Sequence, residues 1–153
     1  AQKIRAGIEK VKEEYEVGKV YYVWLQGESD AIIHTSEEEY LRALITYKNT
    51  LKTEFGIDKF GLIKVGYFFS ISQWHTQVSN PEEKRACDEA IMRAQERAAK
   101  EDSDFIMLTR LCTDLSLRSE YINPQASGHY NNLAMELIGE EAGKKLADFI
   151  NIK

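Results

Sequence analysis

The sequence contains no apolar run near the ~20 residues a membrane-spanning helix requires, and no signal-peptide pattern opens it. It has two cysteines only, Cys87 and Cys112, far apart and outside any CxxC pair. They read as free, mostly buried thiols, without the spacing of a metal site. A glycine-rich phosphate loop is missing, and so are repeats, low-complexity segments and linkers. Positive charge is also in deficit: 20 Lys and Arg stand against 25 Asp and Glu, for a net charge of −5. The cations are scattered among carboxylates as on a solvated surface, which argues against a nucleic-acid partner. What is there is ordinary. With 29% charged residues over 153 positions and a mean hydropathy of −0.44, residues 1–153 read as a single domain able to bury a core.

Helical and extended patterns alternate along the chain. Ile4, Ile8, Val11 and Tyr15 repeat at helical spacing, and Gly18 supplies the stop. Residues 20–25 (Val-Tyr-Tyr-Val-Trp-Leu) are apolar without alternation, which suits a strand covered on both faces in a parallel sheet. Ser36 with Glu39 forms a capping box for a helix carrying Leu41, Leu44, Ile45, Leu51 and Phe55, ended by Gly56. A second strand is expected from Leu62 to Phe69, running into the polar stretch 70–75. Asn80 and Pro81 open a third helix whose inner face is expected at Ala86, Ala90, Ile91, Ala94 and Ala98. Phe105 to Leu108 give a third strand, and Leu133, Leu137, Ile138, Leu146, Phe149 and Ile150 a final amphipathic helix.

This alternation predicts an α/β layered fold, with ligands beyond the carboxyl ends of the strands. Those ends fall at residues 26–30, 70–75 and 109–114, where the polar chemistry collects. One deficit stands out. A strand as apolar as 20–25 should be central, yet three strands give it two neighbours only if it is the middle one. The chain also opens at Ala1 already inside a helical pattern. The expectation is a parallel sheet lacking its N-terminal strand or strands, completed by a missing N-terminal segment or by a partner chain.

The densest chemical cluster is Trp24-Leu25-Gln26-Gly27-Glu28-Ser29-Asp30. An amide at a strand end can donate to an oxyanion without adding charge. Gly27 permits a sharp turn or a close substrate approach. Glu28 would oppose a neighbouring oxyanion, so its expected work is to brace the loop or orient a partner. Read structurally, the segment is a polar strand-to-helix loop with satisfied side chains. Gly27-Glu28-Ser29-Asp30 also invites reading Ser29 as a nucleophile. A nucleophile elbow needs a tight strand-turn-helix, whereas the next helix is expected only near Ser36. His129, in Ala126-Ser127-Gly128-His129-Tyr130-Asn131-Asn132 ahead of the last helix, is placed like a general base, although surface and capping histidines are commoner. His75 could face the same crevice with Trp74 as an apolar or sugar-stacking wall, and both also fit structural roles. His34 reads as a loop residue.

The Trp24-Leu25-Gln26-Gly27-Glu28-Ser29-Asp30 block resembles the SGNH hydrolases of the sialate O-acetylesterase and acetylxylan esterase branch. All five fixed positions of that branch's Trp-x-Gln-Gly-Glu-x-Asp block match. The likeness continues through Ala90-Ile91-Met92-Arg93-Ala94-Gln95, similar to the helix before the family's last strand. It ends at His129-Tyr130-Asn131 and Ile138-Gly139, similar to the catalytic-histidine block and the helix after it. It implies a flavodoxin-like three-layer α/β/α sandwich, with Gln26 as oxyanion donor, His129 as general base and Glu28 as a bracing carboxylate. It also implies hydrolysis of O-acetyl esters on sugars or polysaccharides through a serine acyl-enzyme, without metal or cofactor. Gly27, Trp74 and His75 would contact the acetylated carbohydrate substrate.

Two departures accompany the likeness. The family's Gly-Gln-Ser-Asn nucleophile block has no counterpart in these 153 residues. The aspartate usual three positions before the histidine is Ala126, which leaves Asp114, Glu120 or Glu28 to orient His129. By the family mechanism this polypeptide alone is expected to be inactive and a longer parent active. The alternative is a non-catalytic carbohydrate-binding or assembly module of the same fold.

Overall fold

A computed structural model of the chain describes residues 2–72, 80–126 and 128–151. Three parallel strands form one sheet: β1 (Tyr21–Trp24), β2 (Lys59–Ile63) and β3 (Phe105–Thr109), in that order. Tyr21 lies opposite Lys59 and Trp24 opposite Leu62, while Phe60 faces Phe105 and Ile63 faces Thr109. Helix α1 (Gln2–Lys12) precedes β1. Helices α2 (Glu28–Ile32) and α3 (Glu37–Phe55) link β1 to β2, and α4 (Pro81–Glu101) links β2 to β3. Two more, α5 (Leu111–Leu115) and α6 (Asn132–Asn151), follow.

Local signals account for the element ends. Ser36 accepts from the Glu39 amide while Glu39 reaches back to the Ser36 backbone, and Gly56 closes α3 in the left-handed conformation at φ 66°. Asn80 caps α4 ahead of Pro81. On one face of the sheet, Phe60, Leu62 and Phe105 pack with Leu41, Leu44, Leu51, Ile91, Ala94 and Ala98. On the other, Ile63, Leu108 and Cys112 meet Ala134, Ile138 and Ala142 of α6. Burying a large side chain such as Phe60 stabilises by about 1.5–3 kcal/mol. Helices on both faces of a parallel sheet make this a flavodoxin-like α/β/α sandwich.

Several boundaries differ from the sequence pattern. β2, not β1, is the central strand, and Phe60 and Leu62 on it are fully buried. β1 is hydrogen-bonded on one side only among the described residues, and Val23 stands 44% exposed. β2 ends at Ile63; residues 64–69 leave the sheet yet stay mostly buried because side chains satisfy their amides, as detailed below. α1 stops at Lys12, leaving Val11 and Tyr15 exposed. Ala86 is exposed, and the buried side of α4 carries Lys84, Asp88 and Gln95 beside Ile91, Met92, Ala94 and Ala98. In α6 the stripe Ala134, Ile138, Ala142 faces inward, small enough for close approach to the sheet, so Leu133, Phe149 and Ile150 remain exposed.

Candidate functional site

β1 passes into α2 through Leu25-Gln26-Gly27. Gly27 has φ 151°, and a Cβ there would fall 2.6 Å from Ile91 Cγ2 and 3.2 Å from the Tyr40 hydroxyl. Only glycine fits this close approach. Because α2 starts at Glu28, the strand turns into a helix at once, earlier than the Ser36 start that the sequence pattern suggests. The tight turn held to be missing around Ser29 is therefore present, with Ser29 exposed in the first turn of α2. The Gln26 carbonyl accepts from the Tyr40 hydroxyl (2.7 Å) and from Gln95 Nε2 (3.0 Å), and its side-chain Nε2 donates to Asp30 Oδ2 at 2.7 Å. Burial pushes the Tyr40 phenol up to about 12. Trp24, Gln26, Asp30, Tyr40, Leu44 and Tyr47 line a cavity of about 130 Å³. The buried Trp24 indole N–H lies near enough to the Tyr40 hydroxyl to favour its ionised form, but meets no acceptor at hydrogen-bonding geometry.

The exit from β2 is fastened by α4 and α5. Gln95 Oε1 accepts from the Val65 amide (2.9 Å) and Ser116 Oγ from the Tyr67 amide (3.0 Å). Asp88 Oδ1 accepts from the Phe69 amide at 3.0 Å, and Oδ2 from the Ser70 amide and hydroxyl at 2.9 and 2.7 Å. Asp88 is 1% exposed. Burial raises its pKa, opposed by the Ser70 amide and hydroxyl and by the Phe69 and Phe68 amides.

The histidine segment is pinned at both ends. Ile122 and Tyr130 bridge antiparallel, the Asn123 amide donates to the His129 carbonyl (2.8 Å), and the Asn131 amide donates to Tyr121 O (2.9 Å). Asn131 Oδ1 accepts from the Ala134 amide at 3.0 Å, capping the start of α6, and the Tyr130 hydroxyl donates to Cys112 O at 2.9 Å. Gly128 has φ 85°, and a Cβ there would lie 2.9 Å from the Phe68 ring. His129 is exposed, its ring 5.2 Å from that of Phe68 and edge-on at 84°.

Glu28, just past the carboxyl end of β1, thus lies within electrostatic range of both Asp88 and His129. The Glu28 carboxyl is raised chiefly by burial; the Glu28 and Gly27 amides and the His129 charge oppose the rise, and Asp88 adds to it. Of the three carboxylates considered for orienting His129, Glu120 pairs with Arg118 at 2.7 Å, Asp114 is exposed on α5, and Glu28 interacts with the imidazole. The Gln26 amide is turned toward Asp30 and the cavity beside α3. Trp74 and His75 lie outside the described residues. His34 sits exposed after α2 at φ 59°, its Nδ1 3.5 Å from Cys87 Sγ and 3.8 Å from Glu83. Both cysteines are free, and burial pushes the Cys112 thiol up to about 12. Among the described residues no cluster of three or more His, Cys, Asp or Glu could hold a metal ion, and no helix is long and apolar enough to cross a membrane.

Three residues that shape the site escaped the sequence reading: Tyr40, Asp88 and Gln95. The signal for the last two was present. Positions 84, 88, 91, 95 and 98 share one helical face, and Lys84, Asp88 and Gln95 interrupt its apolar residues Ile91 and Ala98. Taken together, these features define a flavodoxin-like α/β domain with polar side chains gathered at the strand ends. No family model, curated protein or solved structure matches the chain.

Proposed function

We propose that this chain is a carbohydrate O-acetylesterase domain of the SGNH type, acting on acetylated sugars or polysaccharides. The observation that carries the reading is that half-buried Glu28 and exposed His129 lie within electrostatic range of each other at the carboxyl ends of parallel strands, where open α/β sheets place their chemistry. His129 takes the proton of a serine hydroxyl as its oxygen bonds the acetyl carbon. The imidazolium returns that proton to the departing sugar oxygen, and water then releases acetate from the acyl-serine by the same relay. In this reading Glu28 is the carboxylate that braces the site beside His129. On the same reading the Gln26 amide, bonded to Asp30 beside α3, turns its second N–H toward His129 as the donor for the oxyanion when substrate binds.

In this reading the serine comes from a segment or partner chain that extends the sheet along the open side of β1. The half-exposed Val23 on an otherwise apolar edge strand supports that placement. Acetate release from p-nitrophenyl acetate or an acetylated xylo-oligosaccharide tests it. The 153-residue chain alone releases none, whereas a longer polypeptide carrying a Gly-Gln-Ser-Asn block turns over. In that polypeptide His129→Ala abolishes turnover and Gln26→Ala lowers it about a hundredfold. Undiminished turnover by His129→Ala ends the assignment. Ala126, standing where the family has aspartate, favours a second reading as a non-catalytic carbohydrate-binding module. Sugar binding without acetate release by the longer polypeptide decides for that one.

A further inference from the structure

The proposed chemistry makes no use of Asp88, although a buried carboxylate is costly to keep without a purpose. It accepts three bonds from one short turn: the Phe69 amide, the Ser70 amide and the Ser70 hydroxyl. That turn is closed by the Ser72 amide donating to the Phe68 carbonyl at 3.0 Å. The residue at its start, Phe68, sets its ring against two neighbours of the histidine segment. It stands edge-on to the His129 imidazole at 5.2 Å, and it occupies the space that a Cβ on Gly128 would need. Ser72, at the far end of the turn, also closes on Gly128, its Cβ 3.2 Å from the same point. A shift of the turn therefore moves the surface on which His129 rests.

We propose that Asp88 is a positioning residue for His129, acting through the Phe68–Ser72 turn and not by contact with substrate. The proposal rests on the reading of His129 as general base, but its geometry can be tested in the 153-residue chain without any turnover. A carboxylate suits the task better than an amide. All three groups facing it are donors, and an asparagine would direct its own NH2 at some of them. Charge and position separate cleanly in Asp88→Glu, which keeps the charge and lengthens the side chain by one methylene.

The experiment is solution NMR of the chain with His129 and Phe68 assigned. In the wild type, Phe68 ring protons show cross-relaxation to the His129 ring, and the imidazole protons carry the ring-current shift of an edge-on phenyl. In Asp88→Glu and Asp88→Asn both signatures are expected to weaken at least twofold, with rotamer averaging of the imidazole. Ser70→Ala, which removes one of the three bonds and leaves the buried charge, is expected to give the same change at smaller amplitude. If the Asp88 variants do not fold, Ser70→Ala alone decides. Unchanged Phe68–His129 cross-relaxation and ring-current shifts in the folded variants overturn the proposal, as does a change confined to Asp88→Asn, which would mean that charge alone matters. An altered His129 in a parent that lacks esterase activity upholds the positioning and rejects the esterase reading.

Discussion

Two stretches of chain leave the sheet at its carboxyl edge, one after β1 and one after β2, and the same face of α4 holds both by different means. Gln95, neutral and fully buried, bonds the Gln26 carbonyl, the Tyr40 hydroxyl and the Val65 amide. Asp88, two helical turns earlier, bonds donors of the Phe68–Ser72 turn. An amide carries a donor and an acceptor and can tie a carbonyl to an amide. A carboxylate gathers several donors at one point but must be desolvated to do so. The neutral clamp therefore serves where two strand exits of opposite polarity meet, and the charged one where a turn presents N–H and O–H groups alone. The consequence is that the two exits differ in their response to pH.

Breaking the charged clamp should have the largest effect. Asp88→Ala leaves two buried amides and a hydroxyl without an acceptor and is expected to destabilise by about 3 kcal/mol, read as a lowered urea midpoint. The pH dependence sharpens the contrast. Burial holds the native Asp88 pKa above the ordinary carboxylate value. Its contribution to stability is then fullest below the ordinary carboxylate range, falls as pH rises toward the raised native value, and is level beyond. The destabilisation in Asp88→Asn should accordingly be greatest in acid and shrink toward neutral pH. Glu28, also raised by burial, follows the same sign, so Glu28→Gln should gain on the wild type as pH rises through that window. Loss of the Gln95 clamp ranks next. Gln95→Leu keeps the volume but strands the Val65 amide and removes the Gln26 carbonyl's second donor, and should cost about 2 kcal/mol at every pH from about 5 to 8, because neither an amide nor a leucine titrates there. A pH-dependent loss in Gln95→Leu, or a flat one in Asp88→Asn, would erase the distinction between the clamps.

Much of this arrangement was legible in the residues. The capping box at Ser36, the Gly56 stop, the Asn80-Pro81 start and the parallel α/β layering are local or periodic signals, and each appears where the pattern places it. The polar strand ends after β1 and β2 and the histidine segment were also foreseen as places for chemistry. What escaped was tertiary. The apolar run 64–69 was taken for strand because exposed polar atoms normally mark an exit, whereas here Gln95, Ser116 and Asp88 bond its amides and keep it buried. The start of α2 was missed because Gly27 makes its turn only against Ile91 and Tyr40, contacts from other elements. That Glu28 lies within electrostatic range of His129, while Glu120 pairs with Arg118, likewise needed coordinates.

The smallest expected effects come from trimming one bond from each clamp, and they ask whether the bonds at an exit act as a unit. Tyr40→Phe removes the hydroxyl that donates to the Gln26 carbonyl and accepts from Gln95. Gln95 still reaches the same carbonyl at 3.0 Å, so the loss should stay near 1 kcal/mol. It should appear as faster amide exchange through residues 25–28, with little change elsewhere. Ser70→Ala removes a hydroxyl from Asp88, while the Ser70 and Phe69 amides continue to donate. Half-exposed and backed by two remaining bonds, it should cost less than Tyr40→Phe, about 0.5 kcal/mol. The double variant is the informative one. The two hydroxyls lie at different exits held by the same face of α4, so their costs should add within about 0.5 kcal/mol if the exits are independent. A larger coupling in urea denaturation would mean that α4 transmits strain between Asp88 and Gln95, making the two clamps one rigid device.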